Sequence, residues 1–202
     1  MRAFKFFALG FATALLLVVA AAFGFRAWVT TRIQADQAVW RRIPTSFVVQ
    51  SDLGIAGLVK QGDYSHVGTE ISEGNFPLAR TDSHIASMGL FTPQQAMDTK
   101  SVIAAIAQRE DGGPRAATMD ECLQFGAYVD ALKTRFLFAS NRKVVCLGQT
   151  ATINGACVVP QLWSVDYGRW NLGTTSCDGS WEAGTEFLVA YTRRPASFGP
   201  RR

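Results

Sequence analysis

Histidine is scarce in this chain of 202 residues, and the short motifs of several enzyme classes do not occur in it. There is no G-x-G-x-x-G, no G-x-x-x-x-G-K-[S/T] and no G-x-S-x-G. Nucleotide binding by those loops and serine esterase chemistry of that type therefore have no support. Neither H-E-x-x-H nor C-x-x-C is present, and the sequence assigns no catalytic, cofactor-binding or metal-binding residue.

Charged residues make up only 18% of the chain, and their signs are unevenly distributed. Residues 1–43 carry six Lys or Arg and one acid, residues 44–192 carry ten and fifteen, and residues 193–202 carry four and none. A nucleic-acid-binding domain concentrates positive charge on its folded surface. Because the long middle segment is acidic, we expect no nucleic-acid partner. The basic ends suit anionic lipid headgroups or an acidic partner surface.

No charged residue occurs between positions 6 and 25, and Arg2 and Lys5 precede this stretch. An α-helix needs about twenty apolar residues to cross roughly 30 Å of hydrocarbon. We therefore expect residues 1–26 to be a membrane anchor that contacts the lipid bilayer and an integral membrane partner. The alternative is a signal peptide cleaved after the A-x-A site at 20–22. Continuation of the apolar stretch beyond that site favours a retained anchor.

Positive charge flanks both ends of the expected span. Arg2 and Lys5 favour a cytoplasmic N-terminus, whereas four later arginines pull the other way: Arg26, Arg32, Arg41 and Arg42. A short basic tail is easily held back in the cytoplasm. We therefore expect a single-pass protein with a cytoplasmic N-terminus and a domain at residues 44–194 in the periplasm or outside the cell.

The four cysteines, Cys122, Cys146, Cys157 and Cys177, are all in the C-terminal half. An even number in an exported chain indicates two disulfides, for which three connectivities exist. We favour Cys122–Cys146 and Cys157–Cys177, because each closes a local loop. In a cytoplasmic domain the alternative would be four buried thiols. A reactive thiol is less favoured, because it needs an electropositive and partly exposed site.

The first half of the expected domain has few regular signals. Residues 27–43 have helical spacing and predict a stalk that ends at Pro44. Residues 46–50 predict a short strand, and the glycine-punctuated stretch 54–59 fits either a strand or a turn. Residues 60–92 form the least regular region, and a loop of that length is often a binding element.

Two helices are predicted from their start signals. Thr92 and Pro93 suit a helix cap and first turn, which predicts a helix to about Glu110. Its inward face would include Met97, Ile103 and Ile106. A second capping box, Thr118 to Glu121, precedes apolar residues at spacings of three and four, namely Cys122, Phe125, Val129, Leu132 and Phe136.

The last third is rich in strand signals. Asn154-Gly155 lies between two apolar runs and predicts a type I′ hairpin. Residues 143–147, 162–167 and 186–192 predict further strands, and residues 195–202 predict a disordered basic tail. The expected fold class is α+β: an N-terminal transmembrane helix and a helical stalk at 27–43, then one domain with two helices packed on a small antiparallel sheet.

Two sets of side chains are candidates for a functional surface. The first is a polar cluster within twenty-two residues, which fits a metal site, a general base or an ordinary polar loop: Asp63, His66, Glu70, Glu73, Asp82 and His84. The second is a group of aromatic residues that fits either a sugar-binding or peptide-binding platform or core packing: Trp163, Trp170, Trp181, Tyr167 and Tyr191.

Two parts of the chain resemble known families. The apolar N-terminal helix, stalk, small sheet and C-terminal disulfide resemble the layout of a type IV pilin or pseudopilin, and Gly10-Phe11 resembles a prepilin cleavage site. However, the residues before Gly10 are apolar rather than basic, and Leu15 stands where pilins usually carry Glu.

The segment CLQFGAYVDAL at 122–132 resembles the Cys-containing helix of Rap1a/Tai-type immunity domains, in which a second Cys follows at about the place of Cys146. This resemblance implies a periplasmic binding protein with a disulfide. The sequence after Cys146 does not follow that pattern, and we assign the chain to neither family.

Together these features predict a membrane-anchored, extracytoplasmic interaction protein without a cofactor, an accessory or assembly subunit of a membrane protein complex. We expect recruitment through the N-terminal helix and the segment 60–92. The alternatives are an anchored cell-envelope hydrolase that uses the polar loop at 63–84 and a pilin-like subunit.

Overall fold

A computed structural model describes residues 38–109, 113–131, 142–164 and 170–191. Three α-helices occur in these ranges: α1 (Gly54–Gly62), α2 (Thr99–Ala107) and α3 (Met119–Ala131). The strands are β1 (Val39–Val49), β2 (His66–Val67), β3 (His84–Thr92), β4 (Met97–Asp98), β5 (Pro114–Ala116), β6 (Lys143–Val145), β7 (Ala151–Ile153), β8 (Ala156–Ser164), β9 (Trp170–Ser176), β10 (Ser180–Trp181) and β11 (Glu186–Tyr191).

Nine of these strands form one mixed sheet in the order β1-β3-β11-β6-β8-β9-β2, with β5 paired to β11 and β7 paired to β8. The pairs β11–β6 and β2–β9 are parallel, and the other pairs are antiparallel. Strands β4 and β10 form a separate two-stranded ribbon. The α+β class is confirmed, but the small antiparallel sheet with two helices is wrong, since the sheet is large and mixed and three helices accompany it.

The central strands are buried on both faces of the sheet. On one face, here the α3 face, Met88, Leu162 and Leu188 pack in a core that includes Leu58 of α1 and Phe125 of α3. On the opposite face, here the α2 face, a second core contains residues of β3, β11, β6 and β8 with Val102 and Ile106 of α2. Strands buried on both faces lose the apolar–polar alternation by which a sequence reveals a strand.

Helix α3 forms where its capping box predicts. The Thr118 carbonyl accepts the Cys122 N–H at 2.9 Å, and the Glu121 carboxylate accepts the Thr118 N–H at 2.9 Å. Cys122 and Phe125 of the predicted inward face are fully buried. Val129 lies on the same helix, while Leu132 and Phe136 fall outside the described residues.

Both predicted disulfides are present. Cys122 of α3 is bonded to Cys146, which follows β6, so this bond ties the helix to the sheet through the core. Cys157 of β8 is bonded to Cys177, which follows β9. The Asn154-Gly155 hairpin is confirmed as well, with φ of 51° and 79° at its two central residues, the positive values that a type I′ turn requires.

The helical stalk is wrong for residues 39–43, which belong to strand β1. Residues 27–37 lie outside the described part. Strand β1 pairs with β3 at the edge of the sheet, and its register shifts between Arg42 and Ser46. Pro44 lies within this shift, because proline lacks an N–H and is tolerated in sheets mainly at edges and bulges. The proline thus marks a bulge rather than a helix end.

The first half of the domain is more regular than predicted. Residues 54–59 belong to helix α1, neither strand nor turn. The predicted irregular region 60–92 ends in β3, the second strand of the sheet, whose residues Ala86 to Phe91 are buried. Between helix α1 and strand β3, Ile71 and Phe76 insert into the core on the α3 face. These tertiary contacts hold the segment in place, and local sequence signals do not reveal them.

The predicted helix at 93–110 begins later than its sequence signals indicate. Thr92 is the last residue of β3, and the helix starts at Thr99 with Asp98 as its cap, whose carboxylate accepts the Ser101 N–H at 2.7 Å. Ile106 is buried as predicted, but Ile103 is 40% exposed. Asp98, which is nearer to the buried residues of the helix, is thus the cap, and the Thr92-Pro93 signal does not start the helix.

The expected anchor at 1–26 and the expected tail at 195–202 lie outside the described residues. No helix within the described ranges combines the length and apolar character needed to cross a membrane.

Candidate functional site: a buried ion-pair network and an aromatic row on the sheet

The six polar residues predicted as a cluster do not form one site in the structure. Glu73 accepts the Ile55 N–H at 3.1 Å at the start of α1, and Glu70 accepts a hydrogen bond from the Thr174 hydroxyl at 3.1 Å. Asp63 follows α1 with a φ of 45°, and Asp82 is exposed before β3. Glu73, Asp63 and Asp82 thus have separate local positions.

The two histidines do not share a site. His84 pairs with the inward-facing Val49 and lies on the α3 face, whereas His66 neighbours the inward-facing Val67 and lies on the α2 face. Their strands β3 and β2 are five spacings apart in the sheet, about 24 Å. The structure therefore does not assemble a general base or a metal site from this pair.

A buried carboxylate, Glu121, forms the centre of an ion-pair network at the start of α3. Arg115 donates to both of its oxygens, from Nη1 to Oε2 at 2.7 Å and from Nη2 to Oε1 at 2.5 Å. His84 Nε2 lies 3.3 Å from Oε1. An ionised carboxylate only accepts hydrogen bonds, so this contact is a hydrogen bond in the tautomer that carries a proton on Nε2.

The chemistry of Glu121 is that of a structural anion. Burial raises the pKa of this carboxyl, but hydrogen bonds from His84 and Arg115, the Arg115 charge and the Thr118 N–H outweigh burial and lower the pKa to about 2. A general base works best with a pKa near the operating pH. Glu121 is too weak a base for that role, and its partners instead join α3 to β3 and β5.

The same helix start holds a second buried carboxylate. Asp120 is 1% exposed and accepts hydrogen bonds from the Ser51 hydroxyl at 2.5 Å and from the Thr118 hydroxyl. Asp120 and Glu121 both lie in the first turn of α3, where the helix dipole stabilises negative charge. This network fixes α3 against the turn that follows β1.

Most of the aromatic residues predicted as a possible platform are core residues. Trp170 and Tyr191 are 4% and 6% exposed. Trp181 lies edge-on to Phe187 with a centroid distance of 5.4 Å and donates its indole N–H to Thr99. Tyr167 lies outside the described residues. Of this group, Trp163 is the one whose described position remains outside both cores.

Trp163 belongs to a row of four side chains across neighbouring strands, here the Trp163 row. Direct register partners connect Lys143 of β6 to Trp163 of β8, Trp163 to Asn171 of β9, and Asn171 to His66 of β2. Register partners point to the same face, here the α2 face, beyond the core beneath α2. Lys143 and His66 are exposed, Trp163 is half-buried and Asn171 is 8% exposed.

Glycine makes room for the Trp163 ring on this face. A Cβ placed on Gly173 would meet the ring edge, with Cη2 at 3.0 Å and Cζ3 at 3.1 Å. The same position would lie 3.5 Å from Glu70 Oε1, so the Glu70 carboxylate borders the row. The His66 and Trp163 ring centroids are 6.5 Å apart. The row is therefore an aromatic ring bordered by a cation, an amide, an imidazole and a carboxylate.

The sequence marks Trp163 as a candidate in one set and His66 and Glu70 in another, but it does not mark Lys143 or Asn171 and does not predict that these residues meet. The row joins residues from positions 66 to 171, and long-range pairing alone brings them together. No local spacing in the sequence signals such a set. The short strand β2, with two residues, is too brief to be recognised by alternation.

Metal-ligating side chains seldom come together in the part of the chain that the structure describes. One group of three meets the geometric requirement there: Cys157, Cys177 and Asp178. Both cysteine sulfurs are joined in a disulfide and are therefore not thiolate ligands. This group does not support a metal centre.

Comparisons of the chain with protein-family models, with curated proteins and with solved structures gave no match.

Proposed function

We propose that this chain is a membrane-anchored interaction protein whose domain lies on the oxidising side of a membrane, where it is an accessory or assembly subunit of a membrane protein complex. The observation that carries this proposal is the pairing of all four cysteines into two disulfides within the domain. Disulfides persist in exported domains and are rare in the reducing cytosol.

The sequence before the domain supports attachment to a membrane. The stretch 6–25 is free of charged residues, and it precedes the first described residue by only about a dozen positions. Its length matches the hydrocarbon thickness of a bilayer. A domain held so close to its anchor would meet partners in the plane of the membrane.

The Glu121 network does not supply a general base to the alternative, an anchored hydrolase. Its buried acid is ionised, fully engaged by Arg115, His84 and Thr118, and hence dedicated to stability. Within the segment expected to recruit partners, residues 79–83 are the longest run of exposed positions, whereas Ile71 and Phe76 are core residues.

Co-purification from membranes tests this proposal. The full-length tagged protein is crosslinked in cells, and its partners are identified by mass spectrometry. A matched variant replaces residues 6–25 with an unrelated transmembrane helix, and a second replaces Arg80 and Asp82, both exposed, with Ala. We expect stoichiometric membrane partners that are lost in one or both variants. Equal recovery of the same proteins by wild type and both variants would contradict the proposal, as would recovery of no membrane protein.

A further inference from the structure

We propose that the Trp163 row is a saccharide-binding site. The row is Lys143, Trp163, Asn171 and His66, with Glu70 at its border. This inference does not depend on the proposed function, because the row belongs to the sheet and not to the expected anchor.

The aromatic ring gives the site its apolar contact surface. Trp163 is half-buried, outside both cores, and its ring edge lies over Gly173, where a larger residue would displace it. An aromatic ring that has polar neighbouring side chains suits a ligand that is apolar on one side and polar at its edge. A sugar ring has this form, with C–H groups on its face and hydroxyls around its rim.

The neighbours of Trp163 supply the hydrogen bonds that a sugar rim needs. Lys143 donates, and His66 offers one donor and one acceptor when neutral, whereas Asn171 is 8% exposed and presents little of its amide to a ligand. Glu70 Oε1 accepts from Thr174 at 3.1 Å and retains acceptor capacity on its carboxylate. Lys143 and His66 are exposed, so their polar atoms are accessible to a ligand.

The shape and composition of the row favour a saccharide over a peptide or a nucleic acid. The row crosses three strand spacings, about 14 Å, which accommodates more than one sugar ring. A peptide groove would place further apolar pockets beside the aromatic residue, whereas every neighbour in this row is polar. A nucleic-acid surface would be strongly basic, whereas Glu70 here accompanies the single lysine.

Isothermal titration with soluble oligosaccharides tests the site. The full-length protein is placed in lipid nanodiscs, which avoid detergents with sugar headgroups, and is titrated with chitotetraose, cellotetraose and maltotetraose. We expect at least one of them to bind. Trp163→Ala should weaken that binding about tenfold or more, equivalent to about 1.4 kcal/mol, whereas Trp163→Phe, which keeps an aromatic face, should retain most of it.

Variants of exposed residues test the site independently of Trp163→Ala, which could lose binding by misfolding. His66→Ala and Lys143→Ala remove exposed side chains of the row and should each weaken binding several-fold. Ile85→Ala, at a residue 59% exposed on β3, is the matched control and should bind like wild type. Absence of binding by all three oligosaccharides at millimolar concentration would overturn the proposal. So would wild-type affinity in the Trp163→Ala, His66→Ala and Lys143→Ala variants.

Discussion

Arg115 engages Glu121 through two parallel contacts of 2.7 and 2.5 Å, and the carboxylate is fully buried while the arginine side chain is 40% exposed. The pair joins strand β5 to the first turn of helix α3. Since β5 pairs with β11 in the centre of the sheet, this contact fixes the helix that also carries the Cys122–Cys146 disulfide.

Loss of the Glu121 charge should destabilise the domain. Glu121→Gln preserves the size of the side chain but leaves Arg115 without its anion, and breaking a buried ion pair is strongly destabilising. Because Arg115 is partly exposed to solvent, we expect a loss of about 2–3 kcal/mol in the free energy of unfolding. Urea denaturation of the two proteins measures it.

The matched control for that experiment is Glu182→Gln, which changes an exposed carboxylate in the loop after β10. It should alter stability by no more than about 0.5 kcal/mol. Equal effects of the two substitutions would show that the buried network does not stabilise the fold.

Stability should depend on pH through the same group. The pKa of Glu121 is lowered to about 2 in the folded protein from an ordinary value of 4.5. A lowered pKa stabilises the fold above the unfolded value, and this contribution is lost as the pH falls from about 4.5 toward 2. The urea midpoint of wild type should therefore fall more steeply across this range than that of Glu121→Gln. Parallel pH profiles would exclude Glu121 as the cause.

Asp98 caps helix α2 in the structure, whereas the sequence favours Thr92 as the cap, and substitution of each residue distinguishes the two. Hydrogen bonds from the Ser101 N–H and side chain hold the pKa of Asp98 below its usual range. Asp98→Ala should lower the melting temperature, because the helix loses the side chain that caps it. Thr92→Ala removes the residue that the sequence predicts as the cap, and thermal melts should show a smaller loss. The reverse order would support a helix that starts at residue 93.

The two disulfides should differ in their resistance to reductant. Cys122 and Cys146 are fully buried, whereas Cys157 is half-buried. Under native conditions dithiothreitol should open Cys157–Cys177 first, and Cys122–Cys146 only after the domain unfolds. Timed thiol blocking followed by peptide mass mapping shows the order. Simultaneous opening of both bonds would contradict the burial difference.

The sequence predicted those elements whose signals are local. Helix α3 has a capping box and an apolar face at spacings of three and four, and the Asn154-Gly155 turn carries its own backbone preference. Both disulfide pairings followed from short loops. In each case the residues that determine the structure are close together in the chain.

The missed elements depend on distant partners. Strand β3 contains Ser87 and Gly89, which weaken strand propensity, yet it is paired on both edges by β1 and β11. A Cβ on Gly89 would lie 2.9 Å from the Arg41 carbonyl oxygen, so close approach of β1 explains this glycine. The Trp163 row was missed for the same reason, since four separate strands contribute one residue each.

The central proposal is that the protein keeps its anchor and forms two disulfides. The measurement that tests it is the intact mass of the protein, purified from membranes after thiol blocking and without reductant. A retained anchor and two disulfides predict the mass of residues 1–202 less four hydrogens, two for each disulfide, with no blocked thiol. A mass that begins at Phe23 would contradict the retained anchor. A mass with four blocked thiols would contradict an oxidising compartment.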